Sequence, residues 1–414
     1  MPIKAFKYRI YPNKATAEKL AWTLERCREL YNAALAERKE AWRMAGLSIS
    51  VYDQEHDLIE IRNVIRPEYR EVGSNVVRDV VRRVDKAYQA FFRRVKNGEN
   101  PGHPRFKGHN WYDSFTYPDH NNWKLDERSR PAEKRGRVAS KLHLSKIGVV
   151  KLHLHRNLEG KIKTLTIKRE GEHWYAVFNC EIGRSEPLPT SYEDVGIDLG
   201  VTHFAALSTG EFIDHPRYFK RGHVKLAKAQ QALSRKKRGS HRRRRAVKQV
   251  AKHHRKIRNQ RRDFHHKASY KLVNRYQVIV FEDLQTANLV KRPKPKQDEQ
   301  TGEYLPNGAA AKSGLTKSIL DAGWGTFTEM TRVKAESAGR TVLFVNPYMT
   351  SQLCSGCGAV VRKELADRWH SCECGVELDR DTNSAKLILA RGYKQLSGRA
   401  GPTERTSVKA SHCM

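Results

Sequence analysis

The sequence predicts a multidomain α/β protein: a strand-rich first half that holds a helical insert, then a second half in which strands and helices alternate. Three observations lead there. The 414 residues are 38% hydrophobic, enough for more than one core at ordinary domain sizes. Period-two alternation appears at residues 4–11 and returns over about 111–182, with helical periodicity between. After the proline-containing stretch "RSEPLPTSYED", apolar runs of strand length alternate with helical segments.

"KAFKYRIY" alternates like a strand, and Pro12-Asn13 opens a helix whose Leu20, Leu24, Cys27, Tyr31 and Leu35 form one apolar stripe. A second helix is expected over 74–96, with Val77, Val81, Val84, Tyr88, Phe91 and Val95 on one side and arginines around them. "NGENPGHPRFKGH" ends it. "SFTY", "GVVKLHLHR", "IKTLTIKR" and "HWYAVFNCEI" read as strands, with Gly160 and Gly171 at hairpin turns.

In the second half, "VGIDLG", "HFAALS" and "GEFIDH" read as a three-strand meander, followed by a basic helical region over 218–275 and the buried strand "QVIVFEDL". A low-complexity loop over 291–314 precedes one helix through "SILDAGWGTFTEMTRVKAESAG" and the strand "RTVLFV". A cysteine segment, a last helix over about 382–391 and a polar, disordered tail complete the reading. Three strands, helix, strand, helix, strand, helix is the element order of ribonuclease-H-like folds; that analogy says little about chemistry by itself.

Charge narrows the partners. Lys and Arg number 79 against 45 Asp and Glu, a formal net charge of +34. Folding does not require that excess, and self-repulsion opposes compaction, so a polyanion is expected. Nucleic acid leads and an anionic membrane surface is the rival. No apolar run approaches the roughly 18–20 residues of a membrane span, and "MPIKAFKYRIYPN" does not read as a signal peptide. Four cysteines within residues 354–374 suggest thiolate metal ligands in a reducing compartment, the cytoplasm or nucleoid.

Three acids stand where sheet elements stop: Asp198 after "VGI", Glu282 after "VIVF", and Asp381 at the mouth of the last helix. Brought together, they would repel and protonate unless cations bound between them. Mg²⁺ suits a few carboxylate oxygens and leaves positions for water and phosphate, and two ions can serve an in-line phosphodiester displacement. Asp379 competes with Asp381 for the third role, and either could cap the helix. Cys354, Cys357, Cys372 and Cys374 have the spacing C-x2-C-x14-C-x-C, close to a zinc ribbon, and four thiolates make a closed, structural Zn²⁺ site. Cys27 and Cys180 read as core, and Cys413 as tail. The tract over 229–264, with Arg242, Arg243, Arg244 and Arg245 at its centre, is suited to phosphate backbones, which carry no sequence information.

The motifs "FKYRIYPN", "AYQAFFRRVKNGENPGHPRFKG", "GIDLGVTHFA", "AQQALSRKKRGS", "FEDL", "SILDAGWGTF", "TSQLCSGCG" and "DRDTNSAK" occur in the order in which they occur in one family. The chain resembles the TnpB (OrfB) proteins of insertion sequences, relatives of compact type V CRISPR effectors. That resemblance implies an N-terminal β-barrel-like wedge domain over 1–185 with a helical recognition insert at about 13–110. It then implies a RuvC-like nuclease domain over 186–350 and 379–392, a zinc ribbon inserted at 351–378, and a tail over 393–414.

It further implies an RNA-guided DNA endonuclease that binds a guide RNA and double-stranded DNA with a short flanking motif. Asp198, Glu282 and Asp381 match the family's catalytic positions, and the four cysteines its zinc site, with C-x-C where C-x2-C is usual. Candidate readers of the flanking motif are Tyr52, Asn75, Arg78 and Thr116, while base pairing by the guide would supply the remaining specificity. A transposase, a compact CRISPR effector and a guided repressor that does not cut are the rival readings.

Overall fold

The computed structural model describes residues 3–109, 111–126, 139–183, 186–364 and 366–399. The chain divides into two compact units, Met1–Arg184 and Ser185–Met414.

In the first unit, β1 (Ile3–Tyr11) buries Phe6, Tyr8 and Ile10 and turns the residues between them outward. Helix α1 (Lys14–Ala45) starts where Asn13 Oδ1 accepts the Thr16 amide at 2.8 Å, and it buries the expected stripe from Leu20 to Leu35. Helix α2 (Val51–Glu60) was not anticipated; a capping box between Ser50 and Asp53 opens it. Helix α3 (Ser74–Lys96) departs from the expected stripe. Val76, Val77, Val80, Val81 and Val84 are buried, whereas Val95 is half exposed, because only the first half of the helix packs on the unit.

Six further strands complete one antiparallel sheet: β2 (Ser114–Tyr117), β3 (Trp123–Asp126), β4 (Ala139–Leu144), β5 (Gly148–His153), β6 (Lys161–Glu170) and β7 (His173–Glu181). Their order is β2-β6-β7-β1-β5-β4-β3, with β1 in the middle. The two edge strands follow each other in sequence. Laid flat, they would lie about 29 Å apart, more than the roughly 21 Å that the connecting residues can span, so the sheet curls. β3 and β4 had not been read from the sequence. Gly171 turns the β6–β7 hairpin as expected, but Gly160 turns none, since β5 and β6 do not pair. Gly160 instead lies, at φ +79°, against the backbone of Glu181 and Ile182, where a Cβ would collide.

The second unit opens with the meander β8 (Asp194–Leu199), β9 (His203–Leu207) and β10 (Phe212–Asp214), then the hairpin α4 (Tyr218–Ser234) and α5 (His241–Arg275). β11 (Val278–Glu282) and the single turn α6 (Thr286–Leu289) follow. The expected low-complexity loop carries a small hairpin, β12 (Lys296–Gln297) with β13 (Tyr304–Leu305), and the first residues of α7 (Ala309–Ala322). The single helix expected next is two, because Gly323 at φ +65° separates α7 from α8 (Trp324–Ala338). β14 (Thr341–Val345) closes the sheet in the order β10-β9-β8-β11-β14, with β11 parallel to both neighbours.

The cysteine segment forms the two-stranded β15 (Trp369–Ser371) and β16 (Glu377–Asp379). Helix α9 runs Arg380–Arg399, longer than expected, into residues assigned to a disordered tail. Leu396 continues its apolar side and packs with Val280, Leu343 and Ile388. Residues 400–414, including Cys413, lie outside the described residues. α5 and α8 cover one face of the sheet, where Ile197, Phe204, Phe281 and Phe327 pack; α9 covers the other.

Candidate functional site

Strand register sets Asp198 beside Glu282. β8 and β11 run parallel with Ile197 opposite Phe281, so the two acids come next in line at the carboxyl ends of adjacent strands. Adjacent strands lie about 4.8 Å apart. Ile197 and Phe281 face α5 and α8, and alternation turns Asp198 and Glu282 toward α9 together with Gly196 and Val280.

Helix α9 brings the third acid. A Cβ on Gly196 would run into the Ala385 carbonyl and come within 2.6 Å of the Leu389 amide nitrogen. The two backbones therefore touch. Asp381 lies one turn before Ala385, and Asp198 shares its strand face with Gly196, so this contact sets the two carboxylates against each other. Asp379 Oδ1 accepts the amides of Asp381 at 2.9 Å and Thr382 at 3.2 Å, which makes Asp379 the helix cap. Asp379 is therefore engaged as the cap, while both acids act on Asp198, Asp381 more strongly.

Burial, then the negative charges of Glu282 and Asp381, push the Asp198 carboxyl well above its ordinary range; Arg380 opposes them. Burial also raises Glu282, against the pull of Thr350 and Arg391. Asp381 is raised by burial and by Asp379, with Arg368, Arg380 and His203 opposing. Three acids driven toward protonation at one sheet edge make a site that divalent cations would relieve. Thr350 was missed in the sequence: buried, it places its Oγ 2.5 Å from Glu282 Oε1 and so fixes that carboxylate.

The four cysteines converge on one point. Among the described residues they alone bring the donor atoms of three or more potential metal ligands within 4.8 Å of one another. The carboxylates are more widely spread than such a single-ion clamp. Cys354 Sγ lies 3.6 Å from Cys374 Sγ, and Cys357 Sγ lies 3.6 Å from Cys372 Sγ. Those separations far exceed a disulfide bond of about 2.05 Å and match thiolates around one tetrahedral ion, where bonds of about 2.3 Å set sulfurs roughly 3.8 Å apart. Burial would raise the Cys354 thiol, but the amides of Cys357 and Gly356 draw it down to about 5.

Asn383 joins this cluster to α9. Fully buried, it accepts the Ser355 amide at 2.9 Å and donates to the Leu353 carbonyl at 2.7 Å, gripping the chain on both sides of Cys354. It stands two residues after Asp381. Its neighbours Arg380, Asp381, Thr382 and Ser384 are polar too, so nothing in the sequence singles Asn383 out.

The basic tract forms the α4–α5 hairpin, with Leu226 and Ile257 buried. Its arginines divide. Arg243 donates its Nη1 to the carbonyls of Leu233 at 3.0 Å and Lys236 at 3.1 Å, closing the turn. Arg242, Arg244 and Arg245 are exposed. In the first unit, Tyr52 on α2 and Arg78 on α3 are exposed. Asn75 donates to Asp119, and Thr116 Oγ1 receives Arg83 Nη2 at 2.6 Å, so both are engaged within the unit.

A family model described as "Probable transposase", OrfB of the IS605 type, matches residues 177–292. A Cas12f1-like TNB domain matches 324–388, which contains the cysteine cluster. A helix-turn-helix domain of the OrfB family matches 1–46, where this structure has β1 and the single long helix α1. A protein of Streptomyces pristinaespiralis named "Putative RNA-guided DNA endonuclease" is 31% identical over 401 residues, covering 94% of this chain and 89% of the relative.

The chain belongs to the TnpB (OrfB) family.

A second relative, "Putative RNA-guided DNA endonuclease InsQ" of Escherichia coli K12, is 29% identical over 398 residues and covers 95% and 94% of the two chains. The structure of "the mini-RNA-guided endonuclease CRISPR-Cas_phi3" shares the fold, with a TM-score of 0.52, 10% identity and coverage of 94% and 92%. The TnpB-family chain thus has a mixed α/β fold with a curled sheet and a Cas12f1-like cysteine domain. Among the described residues no helix is long and apolar enough to cross a membrane.

Proposed function

We propose that this TnpB-family protein is an RNA-guided DNA endonuclease that binds a guide RNA, recognises a short flanking motif and hydrolyses target DNA at one RuvC-like centre. The observation that carries the reading is the gathering of Asp198, Glu282 and Asp381 at one sheet edge beneath α9. The sheet order β10-β9-β8-β11-β14 supports a ribonuclease-H-like domain, and the names of the full-length relatives support the activity.

Asp198, Glu282 and Asp381 would hold two Mg²⁺, whose chemistry is to stabilise the attacking and leaving oxygens of a phosphodiester. Thr350 orients Glu282. Asp379 fixes the start of α9 and so the position of Asp381. Cys354, Cys357, Cys372 and Cys374 would hold a structural Zn²⁺, four sulfurs leaving no open position. Arg242, Arg244 and Arg245 offer sequence-blind phosphate contacts, and Tyr52 and Arg78 are the better placed of the candidate motif readers. A protein bound to RNA and DNA would sit at the nucleoid, in the cytoplasm.

The test is expression with the native flanking DNA, sequencing of the co-purifying RNA, and replacement of that RNA's variable end. Cleavage should move to matching DNA beside the same flanking motif. The family description "Probable transposase" supplies the alternative. Cleaved ends joined to a new DNA, or a cut site indifferent to the guide, would establish that reading instead.

A further inference from the structure

Three carboxylates and the ions they would hold stabilise charge, but they deliver no proton. Hydrolysis of a phosphodiester calls for one. When the bond from phosphorus to the departing sugar oxygen breaks, that oxygen keeps the bonding pair and must be protonated. The basic side chains that act most on the three acids are Arg368, Arg380, Arg391 and His203. Guanidinium groups do not give up protons in proteins, whereas imidazole exchanges them near neutral pH.

Sheet register aims His203 at the face that carries the acids. In the pairing of β9 with β10, Ala205 stands opposite Ile213 and His203 opposite Asp214, so Phe204 is an extra residue, a bulge. Phe204 and Ala205 both pack on the α5 and α8 side, although they are consecutive. Regular alternation from Ala205 would have put His203 on that side too; the bulge turns it to the other face. Ala206, opposite both Asp198 and Phe212, belongs to that face, and α9 packs on β9 as well as on β8. His203 accordingly acts on Asp381, opposing the burial that raises its carboxyl.

The ring is oriented from two sides. Phe212 lies against it, with ring centroids 4.6 Å apart. His203 Nδ1 lies 3.4 Å from Asp214 Oδ1. A carboxylate can only accept, so Nδ1 carries the hydrogen there, and Nε2 is the position that exchanges a proton. Hydrogen bonds of that length are common in sites without substrate and tighten when it binds. The His203 side chain is 40% exposed, so a DNA strand can reach it.

We propose that His203 is the proton donor to the oxygen that leaves the cut phosphodiester, and that Asp214 holds its ring in place. A water oxygen bonds to phosphorus and its proton passes to solvent. The bond from phosphorus to the sugar oxygen breaks, and that oxygen takes the proton of Nε2. Solvent then returns a proton to the ring. The inference rests on the nuclease reading above and adds to it a group that holds no metal.

The test uses the complex purified with its RNA, the guide end matched to synthetic DNA, and has two arms. In the first, wild type, His203→Gln and His203→Ala cut an ordinary target and one with sulfur in place of the leaving oxygen at the mapped cut. On oxygen each variant should be about 100-fold slower than wild type, within the usual worth of a positioned acid. Sulfur departs as a thiolate without a proton, a thiol having a pKa of about 8.5, so on that target the variants should match the wild type. Asp214→Ala should lose less on oxygen and nothing on sulfur. Glu282→Ala should stay inactive on both. The second arm needs no cutting. Diethyl pyrocarbonate should modify His203 in the Asp198→Ala complex alone, and should fail to once target DNA is bound, as read by peptide mass spectrometry. Variants equally slow on oxygen and sulfur, variants as fast as wild type on oxygen, or rescue of Glu282→Ala by sulfur would overturn the proton-donor role. Modification unchanged by DNA overturns the contact. A wild-type complex that cuts no guide-matched DNA overturns the nuclease reading, and this inference with it.

Discussion

The Ala385 carbonyl oxygen fills the space that a side chain on Gly196 would need. That contact sets how closely Asp381 approaches the strands, because the acid stands one turn away on the same helix. Gly196→Ala should displace α9, lower stability by about 1–3 kcal/mol, as overpacking does, and reduce cleavage more than guide binding. Denaturant titration alongside a cleavage assay checks both.

Asp198→Ala, Glu282→Ala or Asp381→Ala should abolish cleavage and spare guide-dependent DNA binding. Thr350→Val, which keeps the shape and removes the hydrogen bond to Glu282, should cost about 10–100-fold in Mg²⁺ affinity or rate, as removing a ligand's supporting partner does. Cleavage rates across a Mg²⁺ series separate the two classes. Full cutting by Glu282→Ala would sink the assignment.

The raised carboxylates have a consequence for pH. In the metal-free folded chain Asp198, Glu282 and Asp381 hold their protons to higher pH than in the unfolded chain. Their contribution to stability is therefore most favourable at low pH and is lost as pH rises from about 4, the ordinary carboxylate value, through the raised folded values. Asp198→Asn should flatten that fall and raise the metal-free melting temperature at pH 7–8. Added Mg²⁺ should stabilise the wild type at that pH and the variant far less. Melting curves with and without Mg²⁺ decide it.

Cys354→Ser or Cys372→Ser should remove one equivalent of zinc and lower the melting temperature. Asn383→Ala leaves the four sulfurs in place but orphans the Ser355 amide and the Leu353 carbonyl, at about 1–3 kcal/mol for a buried group without its partner. It should retain zinc and still cleave slowly, since the grip between knuckle and α9 is gone. Elemental analysis and cleavage assays on the same samples distinguish the variants.

Arg242, Arg244 and Arg245 to Ala together should weaken nucleic-acid binding. The slope of log affinity on log salt should fall by up to about one for each phosphate no longer neutralised. Arg243→Ala should act differently, loosening the α4–α5 turn that its side chain closes, with the larger change in thermal stability. Binding at several salt concentrations resolves the two effects.

What could be read in advance follows the range of the interactions involved. A continuous apolar run ending in an acid, as in "VIVFE", signals a buried strand and what stands at its end without reference to anything distant. The four cysteines announce themselves by spacing. Thr350 and Asn383 do not, because each acquires its meaning from a partner brought near only by folding: Glu282 for the first, Leu353 and Ser355 for the second. β3 has four residues and little alternation to display. Gly160 carried a correct signal, a backbone that tolerates no side chain, but the cause was the neighbouring strand and not a turn. Gly323 was passed over because helical periodicity continues on both sides of it.

The carboxylate edge is assembled from β8, β11 and α9, the last of which begins at Arg380. A ribosome adding about 5–20 residues per second would release Asp198 roughly 10–40 seconds before Asp381. From the release of Glu282 onward, roughly 5–20 seconds at that rate, the emerging polypeptide holds two of the three proposed acids and its basic α4–α5 hairpin, but not Asp381. With the roles proposed for these residues, it would take hold of nucleic acid before it could cut any. Under the proposed assignment the protein would be unable to cut during its own synthesis, and a fragment terminated before α9 would be a binder only.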